Sequence, residues 1–154
     1  MKRAPARIAL LLALAGCAGP RTARIASVGD EARANEIAAT SKYRGGRLRV
    51  TGTVVVTAMH RFEAVSPAGP TLLVVGATSA YVAEGSVETE WHPYVRLVDP
   101  GRTDTFLSCY FRPKDVDEAA RLARGMTTTL VGQFQEIRGT PEGVEIVLNR
   151  CAIE

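Results

Sequence analysis

The stretch "RLRVTGTVVVTAM", residues 47–59, decides the fold. Alternation puts Leu48, Val50, Val54, Val56 and Ala58 on one face, as in a half-buried strand, while Gly52 leaves that face without a side chain midway. A glycine inside so strong a strand marks a bend or bulge where a sheet coils tightly. "MTTTLVGQFQEI", residues 126–137, repeats the plan around Gly132. Two long strands with central glycines predict a small closed barrel, because a strand that serves two sides of a barrel must bend sharply.

The remaining strands are "PYVRLVD" at 93–99, "DTFLSCYF" at 104–111 and "GVEIVLNRCAI" at 143–153. Pro100-Gly101-Arg102-Thr103 turns 93–99 into 104–111, and Gly139 to Gly143, with Pro141, joins the last pair. Between them "DVDEAARLARG", 115–125, carries Val116, Ala119, Ala120 and Ala123 at helical spacing, a capping-box-like Asp115 and Glu118, and Gly125 as a stop. A short helix is also expected over Asp30 to Lys42, with Asp30 as N-cap, Ala34, Ile37, Ala38 and Ser41 as its packing stripe, and Gly45 and Gly46 ending it. Three strands, a helix and two strands, preceded by a short helix, is the plan of a mainly β, five-stranded OB-fold Greek-key barrel (β-β-β-α-β-β) over residues 30–154.

The amino end is different. Lys2, Arg3 and Arg7 precede the apolar run from Ile8 to Ala15, which is eight residues against the roughly 20 of a membrane helix. Positive flank and short apolar stretch are those of a secretory signal. Leu14-Ala15-Gly16-Cys17 resembles the lipobox of bacterial lipoproteins, in which the cysteine is acylated and the chain is cut before it. That resemblance implies a leader at 1–16, a lipidated Cys17, a tether over 17–29 ("AGPRTARIASVG" following the cysteine) and anchoring to a membrane without crossing it. Ala18, where an aspartate would signal retention at the inner membrane, points to the outer membrane facing the periplasm.

Cleavage redraws the charge. The chain has 19 basic and 16 acidic residues, and losing the leader's three cations leaves 16 of each over 138 residues. A neutral balance gives no global footprint for nucleic acid, which stands as a disfavoured partner. Arg21, Arg24, Arg44, Arg47 and Arg49 crowd the amino end; solvated charges beside a tether are the plainer reading, contact with anionic head groups the alternative.

"ANEIAATSKYRGGRLRVTGTV" at 34–54, "CYF" at 109–111, "GMTTTLVGQF" at 125–134 and the terminal "VLNRCAI" resemble the bacterial tRNA-anticodon-binding-like OB-fold family, mostly small envelope proteins of unassigned role. The resemblance covers 34–59 and 93–153 and implies a fold, not a tRNA role. The chain departs from that family at 60–92, where a short connection is replaced by a segment with "TLLVVGA" and "AEGSVETEWH". A lengthened hairpin is the favoured reading, a ligand-gripping loop the other.

In an OB barrel the strands carrying Cys109 and Cys151 are neighbours, so a disulfide is proposed for this pair, against two buried thiols. Catalytic, metal and cofactor chemistry is not found. His60 and His92 are in no ligand-spaced pair, Ser66, Ser79 and Ser86 lack a nucleophile elbow, and Glu88 and Glu90 read as a solvated edge. Phe106, Tyr110 and Phe134 lie on strands where OB proteins stack bases, but a barrel core needs the same rings. The expectation is a non-enzymatic, envelope-anchored binding or scaffolding module for an envelope protein or glycan, with an oligonucleotide or oligosaccharide binder and a cryptic hydrolase as alternatives.

Overall fold

The computed structural model of the chain describes residues 19–67, 71–75, 78–82 and 85–154. The leader and Cys17 lie outside the described residues. Eight strands occur among them: β1 (Arg21–Ala23), β2 (Arg47–Pro67), β3 (Thr71–Val75), β4 (Thr78–Val82), β5 (Gly85–Val98), β6 (Thr105–Tyr110), β7 (Thr127–Thr140) and β8 (Gly143–Ile153). α1 spans Ile25–Tyr43, and a single 3-10 turn, Pro113–Asp115, leads into the four-residue α2, Val116–Ala119.

The main sheet runs β1-β2-β5-β6-β8-β7. β2 pairs with β7 through 47–53 and with β5 from Thr53 onward, so the sheet curls partly round on itself. Long strands with Gly52 and Gly132 carry this curl, but the ring is partial, where the sequence predicts a closed barrel. A Cβ on Gly52 would stand 2.9 Å from Ile25 Cδ1 and 3.0 Å from the Val98 carbonyl; one on Gly132 would stand 2.8 Å from Cys151 Sγ. Both glycines let neighbouring chain approach where a methyl group would block it.

The main sheet has six strands where five are expected. The sixth is β1, from the stretch read as tether, laid parallel to β2 with Arg21 opposite Leu48. The 60–92 segment is a lengthened hairpin in its paired parts: β2 and β5 stay in register from His60 opposite His92 to Pro67 opposite Gly85, and β3 pairs with β4 as a separate two-stranded sheet.

α1 is longer than expected and packs differently. Ala34, Ile37, Ala38 and Ser41 are exposed, Ile37 by 84%, and Asp30 lies inside the helix. The buried stripe is Ile25, Val28, Gly29 and Ala32, also at i, i+3, i+4, i+7 but beginning nine residues earlier. Asn35 then leaves the helical conformation, its Oδ1 accepting from the Ala38 N–H at 3.0 Å, and the kink hands burial to Ala39 and Tyr43. Capping comes from afar: Asp99 Oδ2 accepts from the Ala26 N–H at 2.7 Å. α2 likewise buries Ala119, and the turn after it buries Leu122, with Val116, Ala120 and Ala123 outside. The capping box does not form, because Asp115 pairs with Arg112 and Glu118 accepts from the Ile153 N–H at 2.6 Å. Gly125 does end this connection, at φ +89°. The core is sealed by Leu48, Val50, Val54, Val95, Leu97, Leu107, Leu130, Ile146 and Leu148 with α1 packed against them.

Candidate functional site

Two irregularities in the strands decide what the outer face of the sheet carries. The first is a bulge between Val54 and Val56: Val54 faces Leu97, then Val56 faces Arg96 and Thr57 faces Val95. Inward pointing passes from Val54 to Thr57, so Val56, Ala58, His60 and Phe62 turn outward. Unbroken alternation would have turned His60 and Phe62 inward.

On the outer face these two meet rings from β5 and β6. Phe62 sits edge-on to His60, His92 and Tyr110, at 4.7, 5.0 and 5.4 Å between centroids, and Tyr94 stacks on Tyr110 at 5.5 Å with planes 28° apart. Edge contacts set positive ring edges against negative faces. The His92 ring is held at both nitrogens: Nδ1–H donates to the Phe111 backbone carbonyl at 3.0 Å, and Nε2 lies 3.0 Å from Glu90 Oε2. Burial, and secondarily the negative charge of Glu145, pushes the Tyr110 phenol above its ordinary value of 10.0, so its hydroxyl stays a neutral donor.

The second irregularity is in β8. Val131 faces Ala152 but Gln133 faces Asn149, and Arg150 takes a left-handed φ of 49°. A non-glycine residue held there stores about 1 kcal/mol or more of strain. Leu148 and Cys151 both point inward across it, leaving Arg150 outside. Cys151 thereby reaches Cys109, and the two are bonded, with Cα atoms 5.9 Å apart.

The rings and this segment line one recess of about 470 Å³. His60, Phe62, His92 and Tyr110 share it with Arg112, Gln135, Glu136, Arg138, Val147, Asn149 and Arg150. Arg138 is paired with Glu136 at 2.9 Å and with Glu145 at 3.3 Å, and Arg112 with Asp115 at 2.7 Å. Arg150 pairs with no described residue. Beside it the Asn149 Oδ1 is buried without a hydrogen-bond partner among the described residues. A cation and an acceptor without partners among the described residues thus share one recess with the rings.

The other residues singled out from sequence are dispersed. Phe134 packs in the core against Tyr43, and Phe106 is buried beneath the Arg96 guanidinium, 4.1 Å above its ring. Tyr110 alone of the three aromatics reaches the recess. The histidines, expected as isolated surface groups, are direct partners across β2 and β5. Glu90 engages His92, while the side chains of Ser66, Ser79, Ser86 and Glu88 lie outside the described residues. Ser108 is buried and its hydroxyl donates to Glu145 at 2.6 Å. Among the described residues no three His, Cys, Asp or Glu gather as metal ligands, and no helix is long and apolar enough to cross a membrane. Sequence reasoning missed Arg150, Asn149 and Phe62; the signal for Phe62 was the even spacing of His60, Phe62, His92 and Tyr94 about a hairpin.

No protein-family model matches the chain, and no curated protein matches it. Solved structures do. One is the crystal structure of a "putative nucleic acid-binding lipoprotein" from Klebsiella pneumoniae subsp. pneumoniae MGH 78578, similar at a TM-score of 0.58 and 18% identity over 88% of this chain and 92% of that one. At that identity the likeness is one of fold, shared by nearly the whole of both chains.

Proposed function

We propose that the chain is an envelope lipoprotein, acylated at Cys17, whose OB-type β domain is a non-catalytic binding module with the outer-face recess as its ligand site. The OB reading is supported by the strand order β2-β5-β6-β8-β7, the return of β7 onto β2 and a helical connection between β6 and β7. The observation that carries the binding role is the pairing of Arg150, strained and without an ion-pair partner among the described residues, with the orphan Asn149 acceptor in an aromatic recess. The lipobox and the lipoprotein name of the Klebsiella neighbour both support the anchor.

A single-stranded oligonucleotide is the ligand reading with most behind it. Tyr110, backed by the stacked Tyr94, presents a platform for flat rings, and Arg150 stands in the same recess as a phosphate partner. The neighbour's name points the same way. The even charge balance of residues 17–154 does not oppose this, because local cations and not the total decide a groove. Oligosaccharide binding needs the rings and the amides of Gln135 and Asn149 but not the arginines.

Fluorescence anisotropy separates the readings. An oligothymidylate should bind with an affinity that falls as salt rises, and Tyr110→Leu should weaken it roughly 5- to 150-fold, the range of one lost base stack. Salt-independent binding of a neutral glycan fragment would favour the saccharide instead. If neither ligand binds and Arg150→Gln changes nothing, the recess is not the site. For the anchor, Cys17→Ser should abolish acylation and release the protein from membranes.

A further inference from the structure

Cations surround the point where the chain enters the fold. The Arg21 guanidinium lies over the Tyr43 ring at 5.9 Å and its Nη1 donates to the Lys42 carbonyl at 3.5 Å, while Lys42 Nζ covers the same ring from 5.1 Å. α1 ends at Tyr43, and a tight turn closed by the Gly46 N–H on the Tyr43 carbonyl, 3.0 Å, returns the chain to β2 at Arg47. Arg21, Lys42, Arg44 and Arg47, all exposed, therefore gather at one end of the molecule. Glu31 holds Lys42 at 2.7 Å. No ion pair ties Arg44 or Arg47 to a described residue, and Arg21 acts on Glu31 only through space, as the last of the influences that lower that carboxyl.

The chain leaves little slack at this end. Ala18, Gly19 and Pro20 are all that separate Cys17 from Arg21. Four extended steps reach at most about 14 Å, not much beyond the roughly 8 to 10 Å over which charges are felt at physiological salt. A cysteine whose acyl chains are embedded in a bilayer thus confines these arginines to the depth where headgroup charge acts. β1, paired to β2, prevents the segment from 21 to 23 from paying out as further tether.

We infer that Arg21, Arg44 and Arg47 form a membrane-docking face that engages anionic phospholipid headgroups and fixes how the domain stands on the bilayer; this rests on the reading of Cys17 as the acylated residue. Each guanidinium offers a planar fork that matches a phosphate, and three on one end of the domain orient it where a single anchor point leaves it free to rotate.

The test uses the acylated full chain on vesicles of phosphatidylcholine alone and of phosphatidylcholine with phosphatidylglycerol, read by flotation and by amide exchange across Tyr43 to Leu48. The chain should float with both. Exchange of that segment should be slower on the anionic vesicles by about fivefold, the factor matching one arginine's attraction at an anionic surface. The difference should vanish in the triple variant Arg21→Gln, Arg44→Gln, Arg47→Gln, which still floats, and should shrink at about 1 M salt, where screening acts within roughly 3 Å. Equal exchange on both vesicles overturns the docking face while leaving the anchor standing. Failure to float with either overturns the anchor, and the docking face with it.

Discussion

β6 and β8 lie side by side and present two unlike faces. Inward, Leu107, Cys109, Ile146, Leu148 and Cys151 are sealed from solvent and cross-linked; outward, Ser108, Tyr110, Glu145, Asn149 and Arg150 carry hydroxyl, phenol, carboxylate, amide and guanidinium. One backbone makes both because successive side chains alternate. The bulge at Arg150 links the faces more tightly: the same left-handed residue that turns Cys151 to Cys109 leaves its own side chain over the recess. The inner face thus determines whether the domain holds together, and the outer face, on the proposed reading, what it can hold.

That division is broken most directly from within. Replacing Cys109→Ala together with Cys151→Ala removes a link between residues 42 apart. On the chain-entropy scale this costs up to about 4 kcal/mol, read as a lower urea midpoint with the slope retained. Recess affinity of the still-folded fraction should be nearly unchanged. An unchanged midpoint would show that apolar packing alone holds the inner face. Gly132→Ala strikes the same contact from β7, placing a methyl 2.8 Å from Cys151 Sγ and 2.9 Å from Leu148 Cβ. A loss of about 1 to 3 kcal/mol in the same denaturation is expected, smaller than that of the bridge because the neighbours yield in part.

The two faces were unequally legible in the sequence. Leu48, Val50, Leu130, Phe134, Ile146 and Leu148 announce the inner face by strict alternation, and Gly52 and Gly132 announce the bends, so the mainly β character and five strands of the main sheet follow from residues alone, while β1 hides in a stretch without apolar period. The recess does not. It depends on where alternation breaks, after Val54 and at Arg150, and neither Val55 nor Arg150 is a residue type that marks a bulge. Helix packing failed for a related reason. Two apolar stripes at the same spacing compete in 25–41, and the one beginning at Ile25 wins because Gly29 can settle on Thr105, where a Cβ would come within 2.4 Å. That contact joins residues 76 apart in sequence and has no local signal.

Arg150→Gly sharpens the comparison because the two faces should respond with opposite sign. Glycine adopts φ of 49° without the Cβ penalty, so the variant should gain about 1 kcal/mol, less the backbone freedom glycine adds to the unfolded chain, and melt slightly higher. It should also bind an oligothymidylate more weakly, with a shallower salt dependence by about one phosphate contact. A variant that melts lower while binding equally well would place Arg150 among structural residues and remove the argument for strain kept in the service of a site.

The smallest effect expected is that of acid on the charges pinning α1 to the β5–β6 turn. Arg33 reaches Asp30 and Asp104 at 2.8 and 3.2 Å, and Arg102 reaches the same two at 2.9 and 3.0 Å. Hydrogen bonds from Arg33 and then Arg102 hold the Asp30 carboxyl below its ordinary 3.8, and Arg102 does the same for Asp104; Lys42 holds Glu31 below its ordinary 4.5. Carboxyls depressed in the folded state contribute stability that is complete above their ordinary values and is lost as pH falls through the lower, folded ones. The melting temperature should therefore be flat from about pH 8 to pH 5 on account of these groups and decline below about pH 4. Because the groups face solvent, the decline should be shallow and weaker in high salt, unlike the loss of the bridge, which no salt relieves. Asp30→Asn should flatten part of it. Matching acid slopes for Asp30→Asn and the unaltered chain would mean that packing of Ile25, Val28 and Ala32 alone seats α1, and that its outer charges add nothing to the fold.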